Sequence, residues 1–142
     1  MIGRMELDTA LAWAADRTDG ILITLRRDGR AQSSDITYAF RDGGFDISLT
    51  DGRAKTKNIR RDNRVVMHIT DRASWSYLAF DGTINLLPVT KGPADSTADA
   101  LVQYYKQVAG EHDDWDGYRQ AMIDEGRLIA HMTPLSVVGQ LH

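Results

Sequence analysis

The sequence predicts a mainly β fold, an antiparallel β-barrel with appended helices, in one domain spanning residues 1–142. Three observations carry this. Short apolar runs rich in branched residues recur along the chain, punctuated by Asp-Gly pairs. Helical patterns stand only at the start, after the second hairpin and near the end, an order that favours a barrel over a doubly wound sheet. The 142 residues, 42% hydrophobic and 26% charged, show no repeat, linker or low-complexity tract that would divide them.

Residues 6–17 read as a helix, because Leu7, Leu11 and Ala14 share a face and Ala10, Ala12 and Ala15 have high propensity. Thr18-Asp19-Gly20 breaks it, and residues 20–25 form a branched apolar strand. Asp28-Gly29 then gives a hairpin returning as a strand over residues 32–40. Arg41-Asp42-Gly43-Gly44 is a second hairpin turn, followed by Phe45, Ile47 and Leu49 alternating on one face. A short helix is expected over residues 53–61, then strands over 65–70 and 75–80. Asp81-Gly82 reads as a turn into a strand over 83–87.

A helix should start near Ser96 or Thr97, either of which suits an N-cap, with Leu101, Tyr104, Tyr105 and Val108 as its apolar face. Gly110 stops it, and residues 115–123 are helical again. Residues 127–132 and 137–141 supply the last strand segments, with Pro134 between them. The count is six or seven strands.

The absence of cysteine excludes a disulfide framework, a thiolate zinc site, an iron–sulfur cluster and a cysteine nucleophile. No apolar run approaches a membrane span, and Met1-Ile2-Gly3-Arg4-Met5-Glu6 lacks the apolar stretch of a signal peptide, so a cytoplasmic protein is expected. With a net charge of −3 the whole molecule offers nucleic acid no generic attraction.

The charge is uneven. Arg53, Lys55, Lys57, Arg60, Arg61 and Arg64 face a single acid, Asp62, giving the segment +5 and the rest of the chain −8. Residues 92–125 carry eight acids and two bases. Such a basic island suits a small anion better than a long polyanion. If helical, it also offers free N–H groups at its N-terminus, where Arg53 and Lys55 add full charges. The competing reading is a solvated basic face that pairs with the acidic C-terminal half.

No nucleophile elbow, P-loop or dinucleotide glycine motif is present. Glu111-His112-Asp113-Asp114 reads as a solvated acidic corner, and His68 and His131 as strand residues; no metal site is expected. Gln32-Ser33-Ser34-Asp35-Ile36-Thr37-Tyr38 is a largely polar strand, which edge solvation explains about as well as binding does. Trp75-Ser76-Tyr77 offers aromatic planes for a flat ring or for the core.

Three segments together, residues 28–34, Arg53-Ala54-Lys55-Thr56-Lys57-Asn58-Ile59-Arg60-Arg61-Asp62 and Trp75-Ser76-Tyr77, resemble the pyridoxamine 5′-phosphate oxidase-like flavin and deazaflavin reductases. With Gly110-Glu111-His112-Asp113-Asp114-Trp115 added, the chain is most similar to the actinobacterial branch that uses coenzyme F420. The resemblance implies an FMN-binding-like split β-barrel, a homodimer and a cofactor groove at the dimer interface. It implies that Arg53, Lys55 and Lys57 hold the cofactor's phosphate, with Thr56 and Asn58 as adjacent donors. Gln32, Ser34 and Asp35 would sit against the deazaflavin ring and ribityl chain, with Ser48 nearby. Trp75 and Tyr77 would line the pocket, and Arg127 would meet the anionic tail. Asp35 departs from the family's pattern, which often has Asn there.

The implied activity is hydride transfer from reduced coenzyme F420 to an electron-poor small-molecule acceptor. No side chain is assigned as a catalytic group. An FMN-dependent oxidase-like enzyme and a non-catalytic F420 carrier are the alternatives.

Overall fold

Alternation along the strands decides the architecture. The computed structural model describes residues 6–142 and the backbone of Gly3 and Arg4; Met1, Ile2 and Met5, part of the stretch read for a leader, lie outside the described residues. The strands are β1 (Gly3–Arg4), β2 (Asp19–Leu25), β3 (Ala31–Arg41), β4 (Gly44–Thr50), β5 (Arg64–Asp71), β6 (Ser76–Leu86) and β7 (Arg127–Gln140). The helices are α1 (Leu7–Ala15), α2 (Ala54–Arg61), α3 (Ser96–Ala109) and α4 (Trp115–Asp124). All pairings are antiparallel. The order β7-β4-β3-β2-β5-β6 closes through β6–β7 into a six-stranded barrel, with β1 added at an edge of β7. This is the barrel with appended helices that the sequence predicts.

Each of the six barrel strands turns apolar side chains inward: Leu22, Tyr38, Ile47, Met67, Phe80 and Met132 are all buried. Phe45 packs its ring against Tyr38, Phe40 and Phe80 at centroid distances of 4.9–5.8 Å. Tilted and edge contacts of this kind add about 0.5–1.5 kcal/mol per pair beyond area burial. The hairpin between β2 and β3 turns as expected, with Gly29 at φ +88 and the Arg30 N–H donating to Asp28 Oδ1.

A helix lies over each end of the barrel. At one end α1 buries Ala10 and Ala14, and the Tyr38 hydroxyl donates to the Ala14 carbonyl (2.7 Å). At the other, α2 inserts Ile59 into the core, while Asn58 Nδ2 donates to Thr24 Oγ1 (3.1 Å) inside the barrel. Helices α3 and α4 form a second small core, in which Leu101, Val102 and Tyr118 pack on Ile129 of β7.

The structure corrects three expectations. Asp81-Gly82 is not a turn, and Pro134 does not divide the last strand. Instead β6 and β7 run unbroken, and Gly82 lies opposite Pro134 at a bulge in their ladder. Proline has no N–H for the ladder, and a Cβ at Gly82 would collide with the Thr133 carbonyl oxygen, so the two irregular residues share one defect. The N-cap of α3 is Asp95 rather than Ser96 or Thr97, its Oδ1 accepting from the Ala98 N–H (2.8 Å). No helix among the described residues is long and apolar enough to cross a membrane.

Candidate functional site: a cationic cluster beside α2

The β3–β4 ladder runs only from Arg41↔Gly44 to Tyr38↔Ile47. Beyond it the two strands part: β3 continues with β2, and β4 continues with β7 through Ser48↔Ile129 and Thr50↔Arg127. Helix α2 packs at this end of the barrel and joins the separated strands. Its Thr56 hydroxyl donates to the Thr50 carbonyl (2.8 Å), and its Asn58 donates to Gln32 Oε1 (3.3 Å) as well as to Thr24. Both side chains are buried, so they anchor the helix.

With α2 fixed this way, three cations converge. Burial first, then the charges of Arg53 and Arg127, lower the pKa of Lys55 below its ordinary value. Arg127 is paired with Glu125 (3.0 Å) and its Nη1 reaches Ser48 Oγ (3.4 Å). Arg53 is the exposed N-cap residue of α2, where helix N–H groups are free. A half-buried lysine with two other cations near enough to add to the effect of burial is an arrangement suited to an anion.

The rest of the basic island is used locally. Arg60 pairs with Asp51 (2.5 Å), Arg61 donates to the Leu25 carbonyl and to Asn58 Oδ1, and Arg64 pairs with Asp62 (2.7 Å). These side chains are exposed, as the solvated-face reading has them, but their ion pairs are local and do not reach the acidic C-terminal half. The helix ends at Arg61, so Arg64 belongs to β5 and shares no helical face with the others. Lys57 is exposed two residues from Lys55, a rotation of about 200° that turns it to the other side of α2.

The predicted residues therefore fall into groups. Ser48, Arg53, Lys55 and Arg127 come together, and Gln32, Thr56 and Asn58 support them. Ser34 follows Gln32 on the inward face of β3, whereas Asp35 points outward across from Ile21, which itself pairs with His68. Trp75 and Tyr77 lie at the start of β6, where Tyr77 pairs with Thr70 of β5 and Gln140 of β7, away from this cluster. The segment predicted as a strand from residue 75 begins at Ser76; Trp75 sits in a turn at φ +57 and is 75% exposed.

Sequence reasoning missed Tyr104. It reads as part of an apolar helix face, yet its hydroxyl donates to the Thr37 carbonyl (2.8 Å) where β3 leaves β4. Burial raises its pKa, opposed by the nearby Ser48 backbone N–H and the Arg127 charge. The only advance signal was a polar atom on an otherwise apolar stripe. The His112 ring lies among Tyr105, Trp115 and Tyr118, and its Nδ1 accepts from the Asp114 N–H.

No protein-family model matches the sequence. Among solved structures, the conserved hypothetical protein Rv2991 of Mycobacterium tuberculosis matches with a TM-score of 0.76 at 18% identity, covering 97% of this chain and 86% of that one. A structure described as an F420 reductase matches at 0.68 and 21% identity, covering 88% and 93%. A Clostridium acetobutylicum protein of the pyridoxinephosphate oxidase family, related to general stress protein 26, matches at 0.66 and 15% identity, covering 96% and 88%. Heme-binding proteins are among the matches too. The chain has the split β-barrel fold of the pyridoxamine 5′-phosphate oxidase-like proteins.

Proposed function

We propose that the protein binds coenzyme F420 and acts as a deazaflavin-dependent oxidoreductase, delivering a hydride to an electron-poor small molecule. The observation that carries the reading is the convergence of Arg53, Lys55 and Arg127 at the N-terminus of α2. An F420 molecule carries a phosphodiester and a glutamate tail, and three cations beside free helix N–H groups suit that charge. When bound, the deazaflavin supplies the hydride chemistry. The chain's own residues hold and orient it. Arg53, Lys55 and Arg127 take the anion, Ser48 steadies Arg127, and Asn58 fixes Gln32 on the ring side of the groove, with Ser34 next along β3. Lys57 adds a flanking charge.

A homodimer belongs to this reading. What supports it is the outward face of β2, β5 and β6, where Ile21, Ile23, Leu25, Val66 and Ala79 are only partly buried, with Leu135 65% exposed beside them. A second copy is the occupant proposed for that face. Asp35, Trp75 and Tyr77 border the same face, so the dimer brings them to the rim of the groove. A cytoplasmic location goes with this reading.

The second reading is an FMN-dependent enzyme, favoured by the matching structure from the pyridoxinephosphate oxidase family. Titration with oxidised F420 and, separately, with FMN separates the two, each followed by its own fluorescence. Micromolar or tighter F420 binding with weak FMN binding is the expected result. Preference for FMN moves the protein to the oxidase side, and binding of neither overturns the cofactor assignment. Turnover of electron-poor acceptors by the reduced complex then separates an enzyme from a carrier.

A further inference from the structure

A crevice of about 330 Å³ lies between α3 and the outward face of β3 and β4. That volume is at the small end of the range for small-molecule sites. Two of its walls carry only methyl side chains, Ala39 on the sheet and Ala100 on the helix, and this leaves the gap unfilled. Leu87 and Tyr104 complete an apolar lining. None of its lining residues belongs to the face of β2, β5 and β6 assigned above to a second copy, or to the cationic cluster at α2.

The crevice also holds Asp46, the one charged side chain that is buried among the described residues. Asp46 stands directly across from Ala39 of β3 and from His131 of β7. Its carboxylate accepts from Arg41 Nε (2.5 Å) and Nη2 (3.3 Å), and His131 Nδ1 lies 2.7 Å from its Oδ1. A buried ion pair is a weak source of stability, but it fixes charge at a defined place.

Around this floor the donors are engaged and the acceptors are open. Arg41 directs Nε and Nη2 to Asp46 and Nη1 to Asp42. The Tyr104 hydroxyl donates to the Thr37 carbonyl, and Gln107 Nε2 donates to the Phe40 carbonyl (both 2.8 Å). By contrast, Gln107 Oε1 and Asp99 Oδ2 accept nothing among the described residues, since Arg119 takes only Asp99 Oδ1 (2.8 Å). Gln103, on the same wall, makes no side-chain bond among the described residues, so its amide oxygen is open as well. Two guanidiniums, Arg41 and Arg119, meet three carboxylates, Asp42, Asp46 and Asp99. With His131 neutral the walls therefore keep one negative charge.

We propose that this crevice binds a small organic cation, an ammonium or amidinium on an apolar body. Its N–H groups meet Asp99 Oδ2 and the Gln103 and Gln107 amide oxygens, and its body lies against Ala39, Ala100 and Leu87. The inference is independent of the proposed function and of any cofactor.

The test is titration of the isotope-labelled protein with benzylamine, followed by NMR and by calorimetry. Shifts should concentrate at the Gln103 and Gln107 side-chain amides. Benzyl alcohol and benzoate, similar in size but without the positive charge, should bind at least about tenfold more weakly. Ala100→Leu fills the crevice with a residue equally suited to a helix, so it should abolish benzylamine binding while the melting temperature stays unchanged or rises. Asp99→Asn should weaken binding about threefold, the usual scale for an exposed charge. Lys55→Ala should leave it intact. Benzoate binding as tight as benzylamine, or no benzylamine binding at millimolar concentration, overturns the inference. So does unchanged binding in Ala100→Leu. Shifts in the parent protein that avoid both glutamines overturn it without any variant.

Discussion

The Tyr104 hydroxyl hydrogen-bonds the Thr37 carbonyl across 2.8 Å, at the point where β3 and β4 part. A helix outside the barrel thus closes, with one side-chain bond, a gap the backbone ladder leaves open. Gln107 of the same helix repeats the contact on the Phe40 carbonyl (2.8 Å). Tyr104→Phe should cost about 1 kcal/mol, the usual loss for one such bond, with the ring's packing retained. Urea denaturation of the two proteins checks this. An unchanged midpoint would mean that the bond does not hold α3 to the sheet.

Lys55 gives a pH-dependent expectation with a definite sign. Its folded pKa is lowered, so the unfolded chain holds the proton more firmly and the charged lysine opposes folding. That penalty is fully present below the lowered value and fades as pH rises toward the ordinary 10.5. Lys55→Met should therefore leave neutral-pH stability unchanged or raise it by up to about 0.5 kcal/mol. Replacing Lys55 and Lys57 together with Ala should weaken F420 binding by more than about tenfold with little change in melting temperature. Binding in the parent protein should weaken as alkaline pH removes the Lys55 proton. Equal affinity in the double variant would remove Lys55 and Lys57 from the site.

Asp95 offers the opposite sign. Burial pushes its pKa up, but the N–H groups of Lys91, Ala98 and Gly92 and the Thr90 hydroxyl outweigh it and hold the carboxyl at about 2. The stabilisation is present above the unfolded value of 3.8 and is lost as pH falls toward 2. Asp95→Ala should cost about 1–2 kcal/mol at neutral pH, as for other N-caps. The difference between variant and parent should shrink in unfolding measurements below pH 3.

Gly82→Ala tests the bulge. The added methyl meets the Thr133 carbonyl and Met132 Cε (2.6 Å), and the backbone has no easy retreat within a closed barrel. A loss of about 2–4 kcal/mol is expected from thermal or chemical unfolding. Gly92→Ala, in open space, serves as the neutral control.

Much of the fold was legible because it is local. Asp28-Gly29, the alternation of Phe45, Ile47 and Leu49, and the Gly110 stop each act within a few residues. Asp81-Gly82 and Pro134 misled because each alone is turn chemistry, and only their pairing across two strands reveals a bulge. The cationic cluster was half legible. The basic run announced α2, but Arg127 reaches Lys55 only through the Thr50↔Arg127 register, a relation between residues far apart in sequence. Resemblance supplied Ser48 and Arg127; periodicity could not. Tyr104 escaped because a tyrosine on an apolar stripe reads as core until its hydroxyl finds a partner.

Helix α2 has two faces with different employers. Inward, Ile59 and Asn58 stopper the barrel; outward, Lys55 and the helix N-terminus carry the cationic cluster. An anion held there would press the stopper home, so occupancy should slow amide hydrogen exchange at Leu22 and Thr24, deep in the barrel and out of the ligand's reach. The interior of the barrel would then report, as a clock, on what is bound outside it.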